Sequence, residues 1–377
     1  MLIVGRFYRR MDRAQKEILM ARRGRLIGKV ILLCAMTAAL GLLLSTRSCR
    51  SRREKPPILL HDGQWDSLHI NNAIATFIIE HGYGYPVETV VQTAYVMQAS
   101  MEKGKTDVNL EARRQNWTRW YEDQVRAGTV LSLGVLYEGG AQFFVVPAWV
   151  AKEYDIETIF DMREHWRLFK DPETPSKGIF YNGIIGWGCN RINAAKLEAY
   201  GLTPHYNIVS PPSAAALEAI LIRSQKTRQP VFAYGWAPTA LMGAHEWRIL
   251  KEPAYDDECW QEIIMAAEDS GVRPLARACA YKEIPMEKMI HRGMLNKAPD
   301  VVEMLKKMQI GLKPLNKVLA WTSENEIRDW RKPALYYLRQ YEDEWKTWVT
   351  PAAYGKIKAA LERAPGADVH SRFYSEQ

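Results

Sequence analysis

Two tryptophans stand in short segments that suit the binding of a cation or of a flat apolar ligand. Trp187 lies in residues 186–189 (GWGC), and Trp236 lies in residues 231–238 (VFAYGWAP). Each segment follows an apolar or aromatic run that predicts a short strand. The glycines beside Trp187 allow the backbone to approach another group closely, and an indole on such a loop can present its ring face to a ligand. Packing in the core is the alternative role for either tryptophan.

These segments resemble those of the glycine betaine/choline/carnitine-binding proteins that serve ABC importers. In that family a Pro-Gly-Trp-Gly-Cys-like loop and a Tyr-x-Trp-x-Pro-like strand end supply walls of an aromatic cage. Ile185 replaces the usual proline here, whereas the rest of the loop and the strand end match. Further similar segments are residues 62–65 (DGQW), 106–111 (TDVNLE), 139–144 (GGAQFF) and 190–202 (NRINAAKLEAYGL). The resemblance spans about residues 57–350.

Alternating strand and helix patterns predict an α/β fold with a parallel sheet. The clearest helical pattern predicts a helix over residues 214–227 (AAALEAILIRSQKT). The family resemblance implies a type II periplasmic-binding-protein-like arrangement of two α/β lobes, with a hinge and a ligand in the cleft between them. We expect the ligand-binding domain to span residues 58–365. Within it, we expect the first lobe to comprise about residues 58–138 and 275–365, and the second lobe about residues 139–274.

Aromatic rings are the expected ligand-binding groups, because a quaternary ammonium has no N–H to donate and spreads its charge over methyl groups. Ring faces bind such a cation, at about 0.5–2 kcal/mol each. We expect Trp187, Trp236 and Trp65 to form the cage, with Trp65 placed between a predicted strand and a predicted helix. The resemblance implies one more aromatic residue from the opposite lobe, which is Phe143 or Phe144 here.

One departure from the family pattern follows residues 106–111. Relatives present a tryptophan near position 113, whereas this chain has Arg113 followed by Arg114. An arginine in the cleft repels a bare cation but can bind a carboxylate through two parallel hydrogen bonds. Two alternatives follow for Arg113: it faces solvent, or it retunes the site towards a zwitterionic or acidic ligand rather than choline.

Positive charge is concentrated near the N-terminus. The 377 residues carry a net charge of +8, but residues 1–55 alone hold 14 lysines and arginines against 3 acidic residues. The rest of the chain is nearly neutral, which argues against a general nucleic-acid surface. We expect residues 1–29 to form a basic cytoplasmic tail, residues 30–46 a transmembrane helix, and residues 47–57 a linker. The chain would then be a single-pass protein of the cell membrane with its ligand-binding domain on the extracytoplasmic side.

The apolar segment admits two other interpretations. A cleaved signal peptide would have an unusually long basic region, and no Ala-x-Ala site follows it. A lipid-modified cysteine at Cys49 would follow a poorly matching motif. An uncleaved anchor is the interpretation that we carry forward.

The cysteines of the predicted domain leave their pairing open. Cys259 and Cys279 allow a disulfide that their spacing cannot decide. Family members often pair the cysteine of the Gly-Trp-Gly-Cys loop with one six residues earlier. Gly183 occupies that position here, so the resemblance implies that this bridge is missing.

The sequence has no pattern that indicates an enzyme or a cofactor site. Gly104-Lys105-Thr106 resembles the end of a phosphate-binding loop, but Ala99 stands where the loop needs a glycine. No His-Glu-x-x-His, Cys-x-x-Cys or Gly-x-Ser-x-Gly segment is present. We therefore expect a protein that is not an enzyme and that holds no cofactor and no metal.

Together these observations predict a solute-binding protein that captures glycine betaine or a related quaternary amine or zwitterionic osmolyte. Its expected partners are that small molecule and the separate permease and ATPase subunits of an ABC importer. Nucleic acid is not an expected partner. The alternative function is a membrane-tethered sensor that uses the same cleft to report the ligand to a partner in the membrane.

Overall fold

Nine strands form a mixed sheet in the computed structural model, which describes residues 55–269 and 275–365. The strands are β1 (Ile58–Asp62), β2 (Val87–Val91), β3 (Val108–Ala112), β4 (Val130–Pro147), β5 (Gly178–Tyr181), β6 (Tyr206–Val209), β7 (Phe232–Ala237), β8 (Trp247–Ile249) and β9 (Ile284–His291). Hydrogen bonds connect them in the order β2-β1-β3-β9-β4-β7-β5-β6, and β8 pairs with β4.

Helices separate most of the strands along the chain, as the alternating pattern predicts. The α-helices are α1 (Asp66–Ile78), α2 (Ala94–Glu102), α3 (Thr118–Ala127), α4 (Ala148–Tyr154), α5 (Met162–His165), α6 (Gly188–Ala199), α7 (Ala214–Thr227), α8 (Ala240–Ala244), α9 (Asp257–Glu268), α10 (Met294–Lys297), α11 (Pro299–Lys307), α12 (Leu312–Glu324), α13 (Arg331–Gln340), α14 (Glu342–Trp345) and α15 (Pro351–Arg363). A π-helical turn (Ile79–Tyr83) and two 3₁₀ turns (Arg114–Trp117 and Trp166–Phe169) complete the helical elements of this part.

Helix α7 illustrates how the sequence determines a local element. Leu217 and Leu221 are buried and lie four residues apart, on one face of the helix. The side chain of Ser213 accepts a hydrogen bond from Ala216 N and caps the first turn. The helix predicted over residues 214–227 is confirmed.

The direction of the strands differs from the sequence prediction. β1 pairs in parallel with β2 and β3, and β5 pairs in parallel with β6 and β7. β9 runs antiparallel to β3 and β4, and β4 also runs antiparallel to β7 and β8. The prediction of a parallel sheet is therefore wrong, because β4 and β9 lie between the two parallel sets, with β9 antiparallel to the first set and β4 antiparallel to the second.

Strand β4 connects the two halves of the sheet. Its first part pairs with β9 as far as Gly140–Ile284, and its last part pairs with β7 from Ala141–Ala237 onward. Gly139, just before this exchange of partners, has a φ of 85°, a conformation that favours glycine. A Cβ at Gly140 would lie only 2.8 Å from the carbonyl oxygen of Ile284. The Gly139–Gly140 step is thus a candidate hinge.

Buried apolar side chains form separate cores on the two sides of this step. The first core is built from residues 58–137 and 284–361, and the second from residues 143–281. A smaller cluster packs α2 and α3 against β3, β4 and β9. We call the part around the first core and the smaller cluster the first lobe, and the part around the second core the second lobe.

Two features that the sequence raised are not found in the described part of the chain. The predicted transmembrane segment, residues 30–46, lies outside the described residues, and no helix within them is long and apolar enough to cross a membrane. Cys259 and Cys279 are both buried and both free thiols, so the disulfide that the sequence allowed is not formed.

Candidate ligand-binding site

A cavity lies between the two lobes, beside the carboxyl ends of β1, β3 and β7. It leaves ≈ 50 Å³ of space for the centres of water-sized atoms. Four of the five residues predicted from the sequence line this cavity, namely Trp65, Arg113, Trp187 and Trp236. Residues that are distant in the sequence therefore meet at one place.

The Gly-Trp-Gly loop approaches the first lobe closely. A Cβ at Gly186 would lie 2.5 Å from Thr93 Cγ2, and a Cβ at Gly188 would lie 2.9 Å from a first-lobe side chain. Side chains at either position would hold the lobes apart. Between the two glycines, Trp187 Nε1 donates a hydrogen bond of 2.9 Å to the carbonyl oxygen of Gly63 in the first lobe. The loop thus brings Trp187 against the first lobe from the second.

The aromatic rings form a continuous series across the cleft. Trp65 and Trp187 have ring centroids 5.8 Å apart and are perpendicular. Trp187 and Trp236 have centroids 5.3 Å apart at an interplanar angle of 84°. Tyr234 stacks beneath Trp236 at 5.8 Å and 16°. Perpendicular indoles expose faces in different directions, which is the arrangement that surrounds a compact cation.

A buried carboxylate holds Trp65. Glu111 Oε2 accepts hydrogen bonds from Trp65 Nε1 at 2.6 Å and from Ser67 Oγ at 3.0 Å. Glu111 Oε1 accepts a third hydrogen bond, from Asn71 Nδ2, at 2.6 Å. The backbone also fits this ring, since a Cβ at Gly63 would overlap Trp65 Cζ3 at 2.0 Å. All three partners of Glu111 donate, as an ionised carboxylate requires.

Arg113 follows β3 and is only 8% exposed. Its Nη2 lies 3.4 Å from the carbonyl oxygen of Ala237 in the second lobe, to which it donates. Its Nη1 is buried and has no hydrogen-bond partner among the described residues. Burial raises the pKa of the neighbouring Glu111 carboxyl group, and the charge of Arg113 opposes that rise. The solvent-facing alternative for Arg113 is therefore wrong, and its free N–H groups suit an anionic ligand group.

The other titratable groups that line the cavity favour their neutral forms. Burial lowers the pKa of His61 to about 4 and raises the pKa of the Cys189 thiol to about 12. Burial also raises the pKa of the Tyr234 hydroxyl well above its usual value. Within residues 55–269 and 275–365, no three His, Cys, Asp or Glu side chains are grouped to hold a metal ion. His61, Cys189 and Tyr234 therefore contribute no charge to the lining near pH 7.

The expectation for Phe143 requires a correction. Phe143 pairs with Gly235 across the β4–β7 ladder, and a Cβ at Gly235 would lie 2.7 Å from Phe143 Cε2. Phe143 belongs to the second core and is not among the residues that line the cavity. The preceding residue, Gln142, pairs with Trp236 and lines the cavity instead. Successive strand residues face opposite sides of a sheet, so the sequence prediction was displaced by one position. Phe144 lies in the second core.

Sequence reasoning missed several polar residues of the lining. Asn109 and Glu111 were missed; they alternate with the predicted Arg113 along β3 and just beyond it, and all three line the cavity. Polar residues at a spacing of two, in a strand that is otherwise apolar, indicate one polar face. This signal was present in the segment that resembles the family. Asn116 and Gln142, in contrast, carried no such pattern.

Solved structures share this fold. The glycine betaine/L-proline-binding protein ProX of Borrelia burgdorferi is 18% identical, with a TM-score of 0.64 over 80% of this chain and 99% of that chain. An ABC-transporter choline-binding protein in complex with choline is also 18% identical, with a TM-score of 0.64 over 81% of this chain and 98% of its own. Lactococcal OpuAC in its closed form with glycine betaine is 15% identical, with a TM-score of 0.61 over 78% and 100% of the two chains. At these identities the similarity shows an α/β fold of the type II periplasmic-binding-protein class.

A comparison with models of protein families identifies the family of this chain. The model of the OpuAC family, described as the substrate-binding domain of the ABC-type glycine betaine transport system, matches residues 57–340. The matched range contains every residue named above as lining the cavity, from both lobes. This chain therefore belongs to the family of substrate-binding domains of ABC-type glycine betaine transport systems, which are solute-binding proteins rather than enzymes.

Proposed function

We propose that this chain captures a compact zwitterion that carries a quaternary ammonium group and a carboxylate, glycine betaine or a close relative, and delivers it to an ABC permease. The ammonium group lies among the ring faces of Trp65, Trp187 and Trp236. The carboxylate lies against Arg113. Two opposite charges on one small molecule then meet two matching surfaces of the same cavity.

The unpartnered guanidinium nitrogen of Arg113 is the observation that carries this proposal. A buried charged donor without a partner is costly, and an anionic ligand group that accepts its hydrogen bond removes that cost. Choline has no carboxylate, so it gains nothing from this contact. The closeness of Arg113 also disfavours a bare cation.

The charge and size of the cavity support the same ligand class. Arg113 supplies a cationic group and the indole rings supply negatively polarised faces, so the lining matches a ligand that carries both a carboxylate and an ammonium group. The cavity leaves only ≈ 50 Å³ for the centres of water-sized atoms, so it suits a compact solute better than a long chain. Rings at right angles, as for Trp187 and Trp236, surround a rounded trimethylammonium group better than they surround a flat one.

Isothermal titration calorimetry of the full-length chain tests the proposal. We expect glycine betaine to bind more tightly than choline. Arg113→Ala should weaken glycine betaine by about 10- to 100-fold, which corresponds to about 1.5–3 kcal/mol for a charge-assisted contact, and should leave choline unchanged. Arg113→Trp should move the preference towards choline by replacing the charge with a ring.

The neighbouring arginine provides a matched control. Arg114 is exposed and forms an ion pair with Glu287 at 3.3 Å, and it does not line the cavity. Arg114→Ala should therefore leave both affinities unchanged. Equal binding of choline and glycine betaine by the unsubstituted chain, or equal effects of the two arginine variants, contradicts the assignment of Arg113.

We also infer that the chain is tethered to the cell membrane by residues 30–46, with the domain of residues 58–365 on the extracytoplasmic side. The support is the uncharged apolar run preceded by a strongly basic segment. The full-length chain should remain in membranes after carbonate extraction, and its N-terminus should begin near Met1. An N-terminus between residues 45 and 53 would instead indicate cleavage or lipid attachment.

A further inference from the structure

A reciprocal pair of side-chain amides joins the two lobes at the cavity. Asn116 lies in the first lobe, and its Nδ2 donates to Gln142 Oε1 in the second lobe at 3.1 Å. Gln142 Nε2 donates back to Asn116 Oδ1 at 3.0 Å. The hydroxyl of Tyr234 donates to the same Gln142 Oε1 at 3.0 Å. Gln142 and Tyr234 are 4% and 2% exposed and Asn116 is half-buried, so this network is largely shielded from water.

The position of the pair relative to the candidate hinge makes it sensitive to closure. Gln142 lies just beyond the Gly139–Gly140 step on β4, whereas Asn116 lies on the 3₁₀ turn after β3. A rotation at that step separates the two amides and exposes both to water. Each amide then bonds to water in the open form and to its partner in the closed form, so neither state leaves a buried polar group unsatisfied.

The network also extends to the ligand cage. Tyr234 shares Gln142 Oε1 with Asn116 and stacks on Trp236. The amide pair therefore fixes the first lobe against the same tyrosine that supports one indole of the cage.

We propose that Asn116 and Gln142 are positioning residues whose amide pair increases the fraction of closed chain and thereby the affinity for ligand. The identity of that ligand rests on the function proposed above, whereas the closure of the lobes does not. The apparent dissociation constant rises in proportion as the competent, closed fraction falls. Loss of the pair should therefore weaken binding although the three indole rings that are proposed to surround the ammonium group are unchanged.

Hydrogen exchange in the full-length chain without ligand can report closure directly. Ala94 N donates to the carbonyl oxygen of Gly186 across the cleft at 2.9 Å. Met97 N donates to the carbonyl oxygen of Thr93 within the first lobe, also at 2.9 Å. Opening of the lobes exposes the Ala94 amide but leaves the Met97 hydrogen bond intact, so Met97 is the internal control for folding.

The variants separate pairing from side-chain size. Asn116→Ala and Gln142→Ala should each accelerate exchange at Ala94 about tenfold, with Met97 unchanged. The double swap of Asn116→Gln with Gln142→Asn keeps the combined reach of the two amides and should restore protection. The proposal is overturned if the Ala94 amide of the unsubstituted chain exchanges at its unprotected rate. It is also overturned if the Ala94 amide exchanges at the same rate in all the variants as in the unsubstituted chain.

Stopped-flow tryptophan fluorescence with glycine betaine supplies the second readout. Asn116→Ala should increase the dissociation rate about tenfold and leave the emission of the bound form unchanged, because the cage itself is intact. An unchanged dissociation rate would contradict the role of the pair in binding. Failure of glycine betaine to bind the unsubstituted chain would contradict the proposed function, while the exchange experiment would still decide on the amide pair.

Discussion

Trp65 Nε1 donates a 2.6 Å hydrogen bond to Glu111 Oε2, and Ser67 Oγ donates to the same oxygen at 3.0 Å. Glu111 thus orients an indole that lines the cavity. A charge-assisted hydrogen bond of this kind restricts the indole to one orientation, perpendicular to Trp187. Glu111 is for this reason a positioning residue, and its loss should lower the affinity for the ligand.

Replacing one donor at a time separates the stability of this arrangement from its role in binding. Trp65→Phe and Ser67→Ala each leave Glu111 short of one hydrogen bond, so each should lower the free energy of unfolding by about 1–3 kcal/mol. Only Trp65→Phe alters the cage, and it should weaken glycine betaine roughly tenfold. Urea denaturation and calorimetry measure the two effects.

The comparison between these two variants is decisive. Ser67→Ala should bind glycine betaine like the unsubstituted chain. If Ser67→Ala weakens binding as much as Trp65→Phe does, the carboxylate rather than the indole carries the effect, and Trp65 is not a wall of the cage.

The two tryptophans from the second lobe should be essential for affinity. Trp187→Ala and Trp236→Ala should each weaken glycine betaine at least tenfold, because each removes a ring face worth about 0.5–2 kcal/mol and opens the cavity to water. Phe143→Leu is the matched control, since Phe143 packs in the second core beside Gly235. It should lower stability by about 1–2 kcal/mol and leave affinity within twofold. Retained affinity in both tryptophan variants would exclude the cage.

The sequence singled out the tryptophans that line the cavity, but it did not predict which face of strand β4 meets the cleft. Trp187 and Trp236 were recognisable because glycine and proline flank them in short, unusual segments. Gln142 and Phe143 are neighbours on one strand, and the choice between them depends on which face of β4 meets the cleft. Both faces of β4 are buried there, so the usual alternation of apolar and polar residues gave no guide.

The orientation of Arg113 and the topology of the sheet could not be predicted from local sequence either, because both depend on contacts between distant segments. Whether Arg113 faces solvent or the cleft depends on the approach of Ala237 from the other lobe, and no local pattern encodes that approach. The antiparallel pairing of β4 and β9 joins segments more than a hundred residues apart, and this pairing overrode the parallel sheet that local alternation predicted. Helix α7, whose signals are all local, was predicted within its true bounds.

Gly183 offers a test of the loop that carries Trp187. A Cβ at Gly183 would lie 2.7 Å from Cys189 Sγ, a separation close to that across a disulfide bond. Gly183→Cys should therefore form a bridge to Cys189 under oxidising conditions and add about 2 kcal/mol of stability for so short a loop. Peptide mapping by mass spectrometry and thermal unfolding with and without reductant measure this. Gly183→Ala adds the Cβ without a disulfide bond, so this variant should be less stable than the unsubstituted chain. If the thiol of the Gly183→Cys variant stays reduced after oxidation, the closeness of position 183 to Cys189 is contradicted.

Glu218 links stability to pH at the boundary between the lobes. It lies on α7 of the second lobe, where burial raises its pKa from 4.5 to about 8. The carboxylate of Asp66, at the start of α1 in the first lobe, raises this pKa further, and the guanidinium group of Arg328 opposes the rise. Burial likewise raises the pKa of Asp66. Two carboxyl groups whose ionisation burial disfavours, one from each lobe, therefore lie close enough for the charge of Asp66 to act on Glu218.

The raised pKa of Glu218 fixes the sign of its effect on stability. Because the folded chain holds this proton more tightly than the unfolded chain, the favourable contribution of Glu218 is complete below about pH 4.5 and is lost as the pH rises through about 8. Glu218→Gln stays neutral throughout. The free energy of unfolding of this variant should therefore match that of the unsubstituted chain near pH 4.5. At pH 9 it should be higher than that of the unsubstituted chain, by an amount on the order of a few kcal/mol.

Urea denaturation of the full-length chain at pH 5, 7 and 9 measures the difference between the two profiles. Asp66→Asn, which removes the facing carboxylate, should lower the pKa of Glu218 and shift the loss of stability towards lower pH. Glu122→Gln, an exposed substitution on α3, should instead run parallel to the unsubstituted chain. If Glu218→Gln also runs parallel at all three pH values, the carboxyl group of Glu218 titrates alike in the folded and unfolded chains, and it does not link stability to pH.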